Sequence, residues 1–154
     1  MGMYNHLHHD FAKRTKANLE YIDSAYEAGV PDVYNVTQLI NSLLGMVIFL
    51  KEGKFVPKAP LEIICGDMNF EVLIDKNESC KNMKEFLRCF RNAIAHCNIK
   101  DFGKKEEIEG FIVYNRHPGE GVNWKIRIKT SEIRKIAFGL VEHVLQNSPE
   151  KKAA

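Results

Sequence analysis

Met83-Lys84-Glu85-Phe86-Leu87-Arg88-Cys89-Phe90-Arg91-Asn92-Ala93-Ile94-Ala95-His96-Cys97 reads as one amphipathic helix, and the rest of the chain is best understood around it. At about 100° of rotation per residue, Met83, Phe86, Leu87, Phe90, Ile94 and Cys97 gather on one side. Arg88, Asn92, Ala95 and His96 fall on the other. Residues four apart stack on a helix surface, so Arg88, Asn92 and His96 share a polar edge opposite the phenylalanines. Arg91 sits on the flank, about 140° from His96 by the same rotation. The helix is expected to start near Ser79 or Cys80 and to reach His96 or Cys97.

Two long helices precede it. The first is expected from about residue 10 to residue 28, with Phe11, Leu19, Ile22 and Tyr26 on one stripe and Gly29 and Pro31 ending it. The second runs from about residue 32 to residue 51, where Val36, Leu39, Ile40, Leu43, Leu44 and Val47 repeat at three and four, with Gly53 as its stop. Between residues 52 and 79 the short apolar runs Leu61 to Cys65 and Phe70 to Ile74 suit either strands or a helical turn. After His96, the segment Lys100 to Gly110 reads as a charged, glycine-flanked link. The period then changes to two: Trp124, Ile126 and Ile128 alternate with Lys125, Arg127 and Lys129, and Phe111 to Tyr114 is the partner strand. Arg116 to Gly121 between them is turn chemistry. A last helix begins at the capping residues Thr130 or Ser131, with Glu132 in its first turn and Ile133, Ile136, Ala137, Leu140 and Val144 on its apolar face. The expected architecture is mainly α, a bundle of four to five helices with a β-hairpin inserted before the last helix.

Bulk properties narrow the class. A chain of 154 residues, 45% of them hydrophobic, fits one domain with its own core, with residues 1–9 and 149–154 as mobile ends. A net charge of +2 gives no global attraction to nucleic acid, so any basic surface must be local. No run approaches the roughly 18 apolar residues of a membrane span, and the first twenty residues, with three histidines and several charges, do not read as a secretory signal. Cys65, Cys80, Cys89 and Cys97 form no CxxC pair, so zinc is not suggested, and free thiols suit a reducing cytoplasm. His6, His8 and His9 read as a mobile terminus more readily than as metal ligands. The sequence calls for no cofactor, since it has neither a carboxylate cluster for a metal nor a glycine-rich phosphate cradle.

The string Phe90-Arg91-Asn92-Ala93-Ile94-Ala95-His96 resembles the signature of the HEPN superfamily: an arginine, a polar residue directly after it, and a histidine after a short gap, here of four residues. Its place late in a helix, after two long amphipathic helices and before a closing one, extends the resemblance over roughly residues 11 to 145. The chain is most similar to compact stand-alone bacterial members with a hairpin before the final helix. The resemblance implies a helical bundle, a homodimer in which two motifs face each other in a composite active site, and metal-independent cleavage of RNA by toxins or anti-phage effectors. It assigns catalysis to Arg91, Asn92 and His96.

The residues suit that chemistry. Attack of a 2′-OH on the neighbouring phosphate, leaving a 2′,3′-cyclic phosphate, needs a proton acceptor, a proton donor and charge stabilisation. Imidazole can fill either proton role, and an arginine offers planar, permanently charged donors to phosphate oxygens. Asn92 can orient His96 or hold a phosphate. Arg88 and the hairpin stripe Lys125, Arg127 and Lys129 are candidates for RNA binding, although such a stripe is more often a solvated strand face. Trp124 reads as a core anchor. A histidine near a helix end also suits capping, and Arg91 also suits a solvated arginine. The alternatives to the enzyme are a non-catalytic RNA-binding or scaffold protein and an antitoxin-like dimer; an antitoxin is also a candidate partner.

Overall fold

The computed structural model describes residues 2–52 and 56–147. The elements are α1 (Leu7–Glu27), α2 (Asn35–Glu52), α3 (Leu61–Cys65), β1 (Glu71–Asp75), a 3-10 turn at Ser79–Lys81, α4 (Met83–Ala95), β2 (Ile99–Lys104), β3 (Glu107–His117), β4 (Gly121–Lys129) and α5 (Thr130–Asn147). They gather into two compact units: the described residues of 1–55 with those of 136–154, and residues 56–135. The expected helix stop at Gly53 and the expectation for residues 149–154 fall outside the described residues.

In the first unit α1 packs on α2. The first helix begins at Leu7, earlier than its apolar stripe indicates, because Asp10 accepts the backbone N–H groups of Asn5 at 2.8 Å and His6 at 3.1 Å. Those bonds, the one from His6 foremost, hold the Asp10 carboxyl below the ordinary carboxylate range. Phe11 stacks on Phe49 with ring centroids 3.9 Å apart. A Cβ at Gly45 would stand 3.1 Å from the Phe11 ring, so the glycine inside this apolar helix makes room for that stack. Leu39, Leu43, Met46, Val47 and Leu50 are buried as their spacing requires, and Lys16 pairs with Glu142 of α5 at 2.5 Å. Tyr26, on the apolar stripe by spacing, is exposed.

The second unit corrects the expected fold class. The chain is not a helical bundle carrying a hairpin but a mixed helix-and-sheet fold with a four-stranded antiparallel sheet in the order β1-β4-β3-β2. The hairpin is its centre, and a strand is added on each edge. One of these, β2, lies largely in the stretch that reads as a charged link. The other, β1, has only five residues, too few to show a period. Edge strands tolerate charge and exposure because backbone pairing holds them, so an alternating pattern is weakest there. The ambiguous segment before α4 divides into one short helix, α3, and one strand, β1. Gly110 sits where β2, β3 and β4 crowd together: a Cβ there would stand 2.4 Å from the Ile128 carbonyl oxygen and 2.5 Å from the Phe102 ring.

Against this sheet lies α4, with Met83, Phe86, Leu87, Phe90 and Ala93 buried. Phe86 meets Trp124 edge-on at 5.7 Å and stacks with Phe90 at 6.0 Å. Trp124 is 1% exposed, so its reading as a core anchor holds. Ile126 and Ile128 extend the same buried row. The last helix starts at Thr130, but the Thr130 hydroxyl donates to the Glu109 carbonyl at 3.2 Å. Burial would raise the Glu132 carboxyl, yet the Asn69 N–H at 2.9 Å and the Lys135 ammonium outweigh it and hold the group below the usual range.

Candidate active site

Helix α4 is fixed at both ends by local bonds. At its start the Asn82 side chain accepts the N–H groups of Lys84 at 2.9 Å and Glu85 at 3.3 Å, an N-cap that begins the helix later than expected. Just before it, Asp75 caps the 3-10 turn by accepting from Ser79 and Cys80, both at 2.8 Å. At its end Cys97 N–H bonds Ile94 O at 2.9 Å and Asn98 N–H bonds Ala93 O at 2.8 Å, with Cys97 at φ 56°. This is a Schellman closure with cysteine where glycine is usual. His96 is therefore the C-cap residue. The closure is made by backbone groups, and the exposed imidazole takes no part in it.

A cleft of about 390 Å³ opens at this end of the helix. Arg88, Cys89, Asn92 and His96 line it from α4, Asn98 from the turn that follows, and Asn77 and Ser79 from the segment after β1. The opposite wall is the hairpin of β3 and β4, with Asn115, Arg116, His117, Pro118, Asn123 and Trp124. The described lining carries two guanidinium groups, two imidazoles and five asparagine amides, and no carboxylate. Such a surface suits an anion with polar substituents better than a cation. The Asn123 side-chain oxygen is buried there without a protein partner.

Asn92 and His96 thus stand in the cleft on the polar edge read from the helical wheel. Arg91 does not line it. Its Nη2 donates to Asn92 Oδ1 at 2.6 Å, so the flanking guanidinium turns toward the motif through its neighbour. With Oδ1 occupied, Asn92 Nδ2 remains as the donor it can offer to a ligand. Arg88 lines the same wall while held by Glu85 at 2.8 Å, a bond that raises the guanidinium's already high pKa. Lys125, Arg127 and Lys129 are not brought to the cleft. They alternate with the buried Trp124, Ile126 and Ile128, and the Arg127 guanidinium lies 3.8 Å from the centroid of Phe102.

Sequence reasoning missed the hairpin wall. It assigned Arg116 and His117 to a turn, whereas they end β3, and the turn is only Pro118 to Glu120. The register of β3 with β4 shifts between Asn115 and Arg116, where β4 carries one extra residue, Asn123, opposite the continuous β3. Asn115, itself buried, donates to Cys89 O at 2.8 Å, and Tyr114 N–H donates to Asn98 O at 3.1 Å; the first bond ties β3 to the middle of α4 and the second to the turn that follows it. An arginine and a histidine beside a Pro-Gly turn was the sole local signal, and it is weak.

Cys65 and Cys80 are not poised as nucleophiles. Burial pushes Cys80 up to about 12, and Trp124 Nε1 donates to its sulfur at 3.2 Å; burial likewise pushes Cys65 up to about 12. At the N-terminal helix His8 meets the edge of Phe49 at 6.4 Å, and His9 Nδ1 lies 3.7 Å from Asp10. Among the described residues no group of three or more His, Cys, Asp or Glu is placed to hold a metal ion, and no helix is long and apolar enough to cross a membrane.

A family model described as HEPN pEK499 p136 matches residues 1–151. The chain belongs to this HEPN family. No curated protein and no solved structure matches it.

Proposed function

We propose that the chain is a metal-independent endoribonuclease that cleaves RNA by 2′-OH attack, leaving a 2′,3′-cyclic phosphate, and that it acts as a toxin or anti-phage effector. The observation that carries this reading is the cleft in which Asn92 and His96, with Arg88, line one wall and none of the described lining residues is acidic. An RNA phosphate entering it meets guanidinium and amide donors, which stabilise the charge that grows on the phosphoryl oxygens as the 2′-oxygen attacks. His96, exposed at the helix end, exchanges a proton with one of the two reacting oxygens. Asn92 Nδ2 donates to the phosphate, and Arg91 fixes the amide by holding its oxygen. A homodimer remains part of the proposal, with the two clefts acting on one RNA, as does an antitoxin partner for a toxin.

The test is cleavage of RNA in EDTA, wild type against His96→Ala, with the product ends analysed. Loss of one proton-transfer group is expected to slow cleavage by about 10²–10⁴-fold, and replacing the 2′-OH with hydrogen to abolish it. Undiminished cleavage by a correctly folded His96→Ala chain sinks the reading. The rival, a non-catalytic RNA-binding protein, draws support from Arg91 being committed to Asn92 rather than lining the cleft. It predicts RNA binding without cyclic-phosphate ends in the same assay.

A further inference from the structure

The cleft has a second imidazole, and the chemistry just proposed requires two proton-transfer groups. We infer that His117 is the general base of the site and His96 its general acid, so that one chain carries the complete pair; this rests on the endoribonuclease reading above. In an in-line displacement the attacking 2′-oxygen and the departing 5′-oxygen lie on opposite sides of phosphorus, so base and acid must reach the phosphate from different directions. The two walls provide that separation. His96 comes from the end of α4, and His117 comes from the end of β3, beyond the point where its register with β4 shifts.

The roles follow from the hydrogen bonding of His117. Its Nδ1 lies 3.1 Å from the Pro118 carbonyl oxygen, which can only accept, so Nδ1 carries the proton in the neutral ring. Nε2 is then left with a lone pair, the form a general base needs. The Glu120 carboxylate lies 3.8 Å from the same Nδ1, so both partners of the ring approach its Nδ1 side. Other charged groups around the site are Arg116 on the same strand, Arg88 and His96 across the cleft, and Lys76, whose Nζ reaches the Glu120 carbonyl oxygen at 3.5 Å. The Arg116 guanidinium lies 5.4 Å from the centroid of Tyr114, its strand neighbour two residues before it.

The step balances. His117 Nε2 takes the 2′-OH proton as the bond from the 2′-oxygen to phosphorus forms. The bond from phosphorus to the 5′-oxygen breaks, and the electron pair that leaves with that oxygen takes a proton from the His96 imidazolium. The products are a 2′,3′-cyclic phosphate and a free 5′-OH. Hydroxide and water restore the two rings to their starting protonation before the next turnover.

Two measurements on the purified full chain test this. In EDTA, His117→Ala is expected to lower kcat by about 10²–10⁴-fold with little change in KM, and to remove the acidic limb of a bell-shaped rate profile. His96→Ala should remove the alkaline limb. A uridine 3′-phosphodiester with a nitrophenolate leaving group needs no general acid, so it should largely restore turnover in His96→Ala and not in His117→Ala. If His117→Ala does not fold by circular dichroism, His117→Gln carries the same expectation. Wild-type kcat and an intact acidic limb in the folded variant overturn the assignment of His117, even where His96→Ala is inactive. Absence of any cleavage by the folded wild type overturns the endoribonuclease reading and this inference with it.

Discussion

On one wall of the cleft Arg88, Asn92 and His96 stand four residues apart along α4 and its cap; on the other, Asn115, Arg116 and His117 follow one another along a strand whose partner, β4, carries an extra residue opposite them. The helical wall is positioned by a repeat. Once Met83, Phe86, Leu87, Phe90 and Ala93 are buried, the turn of the helix fixes where Asn92 and His96 must be. The hairpin wall has no such guarantee. A slip of one residue in strand register would send alternate side chains to the opposite face, so His117 is placed by the extra residue Asn123 in β4, the tight turn and the bonds from Asn115 to Cys89 and from Tyr114 to Asn98. The same cleft therefore combines a wall written into local periodicity with one that depends on long-range pairing.

The sharpest way to break this comparison is to separate the walls between molecules. Mixing His96→Ala chains with His117→Ala chains should leave cleavage near the low level of each alone, about 10²–10⁴-fold below wild type, because every chain lacks one half of its own pair. Recovery of a substantial share of wild-type turnover on mixing would mean that the two walls meet across subunits instead. The next largest effect is structural and belongs to the hairpin. Asn115→Ala removes a buried bond to Cys89 O and the side chain that fills the space, and should cost about 1–2 kcal/mol in urea unfolding. It should also lower turnover, since Arg116 and His117 lose their anchor, while Arg88, Asn92 and His96 stay in place on their helix. Turnover unchanged in the folded variant would show that the pairing of β3 with β4 alone positions them. Smallest is a change on the helical wall. Cys97 holds a left-handed conformation that costs a non-glycine residue roughly 1–2 kcal/mol, while glycine gives back roughly 0.5–1 kcal/mol in chain entropy. Cys97→Gly should therefore raise stability by about 0.5–1 kcal/mol, with His96-dependent activity retained; a loss of stability would mean that the Cys97 side chain makes a compensating contact.

Much of the helical half was legible because burial imposes a period. The apolar stripe of α4, the row of leucines in α2, the alternation through Trp124, Ile126 and Ile128 and the start of α5 at Thr130 all follow from which positions must face away from water. The fold class was not legible. Strand β2 carries Lys100, Asp101 and Lys104 at an edge, where backbone pairing with β3 holds it without a buried face, and charge there reads as a link. Strand β1 pairs with β4 through four of its five residues, and most of its side chains are exposed. Both strands are invisible to a search for hydrophobic pattern, and with them went the four-stranded sheet.

At the site the same division holds. The sequence by itself determined that Asn92 and His96 share the polar edge of a helix opposite a phenylalanine-rich face, because helical rotation is a property of the local chain. It also placed Arg91 off that edge, which the structure retains, with the guanidinium turning back to the Asn92 oxygen. Only the tertiary structure decided what faces that edge. The extra residue Asn123 in β4, the shift of Arg116 and His117 from turn to strand, and the five asparagines that meet from separate segments depend on how the strands pair and on contacts between residues far apart in sequence. No local period encodes such pairing.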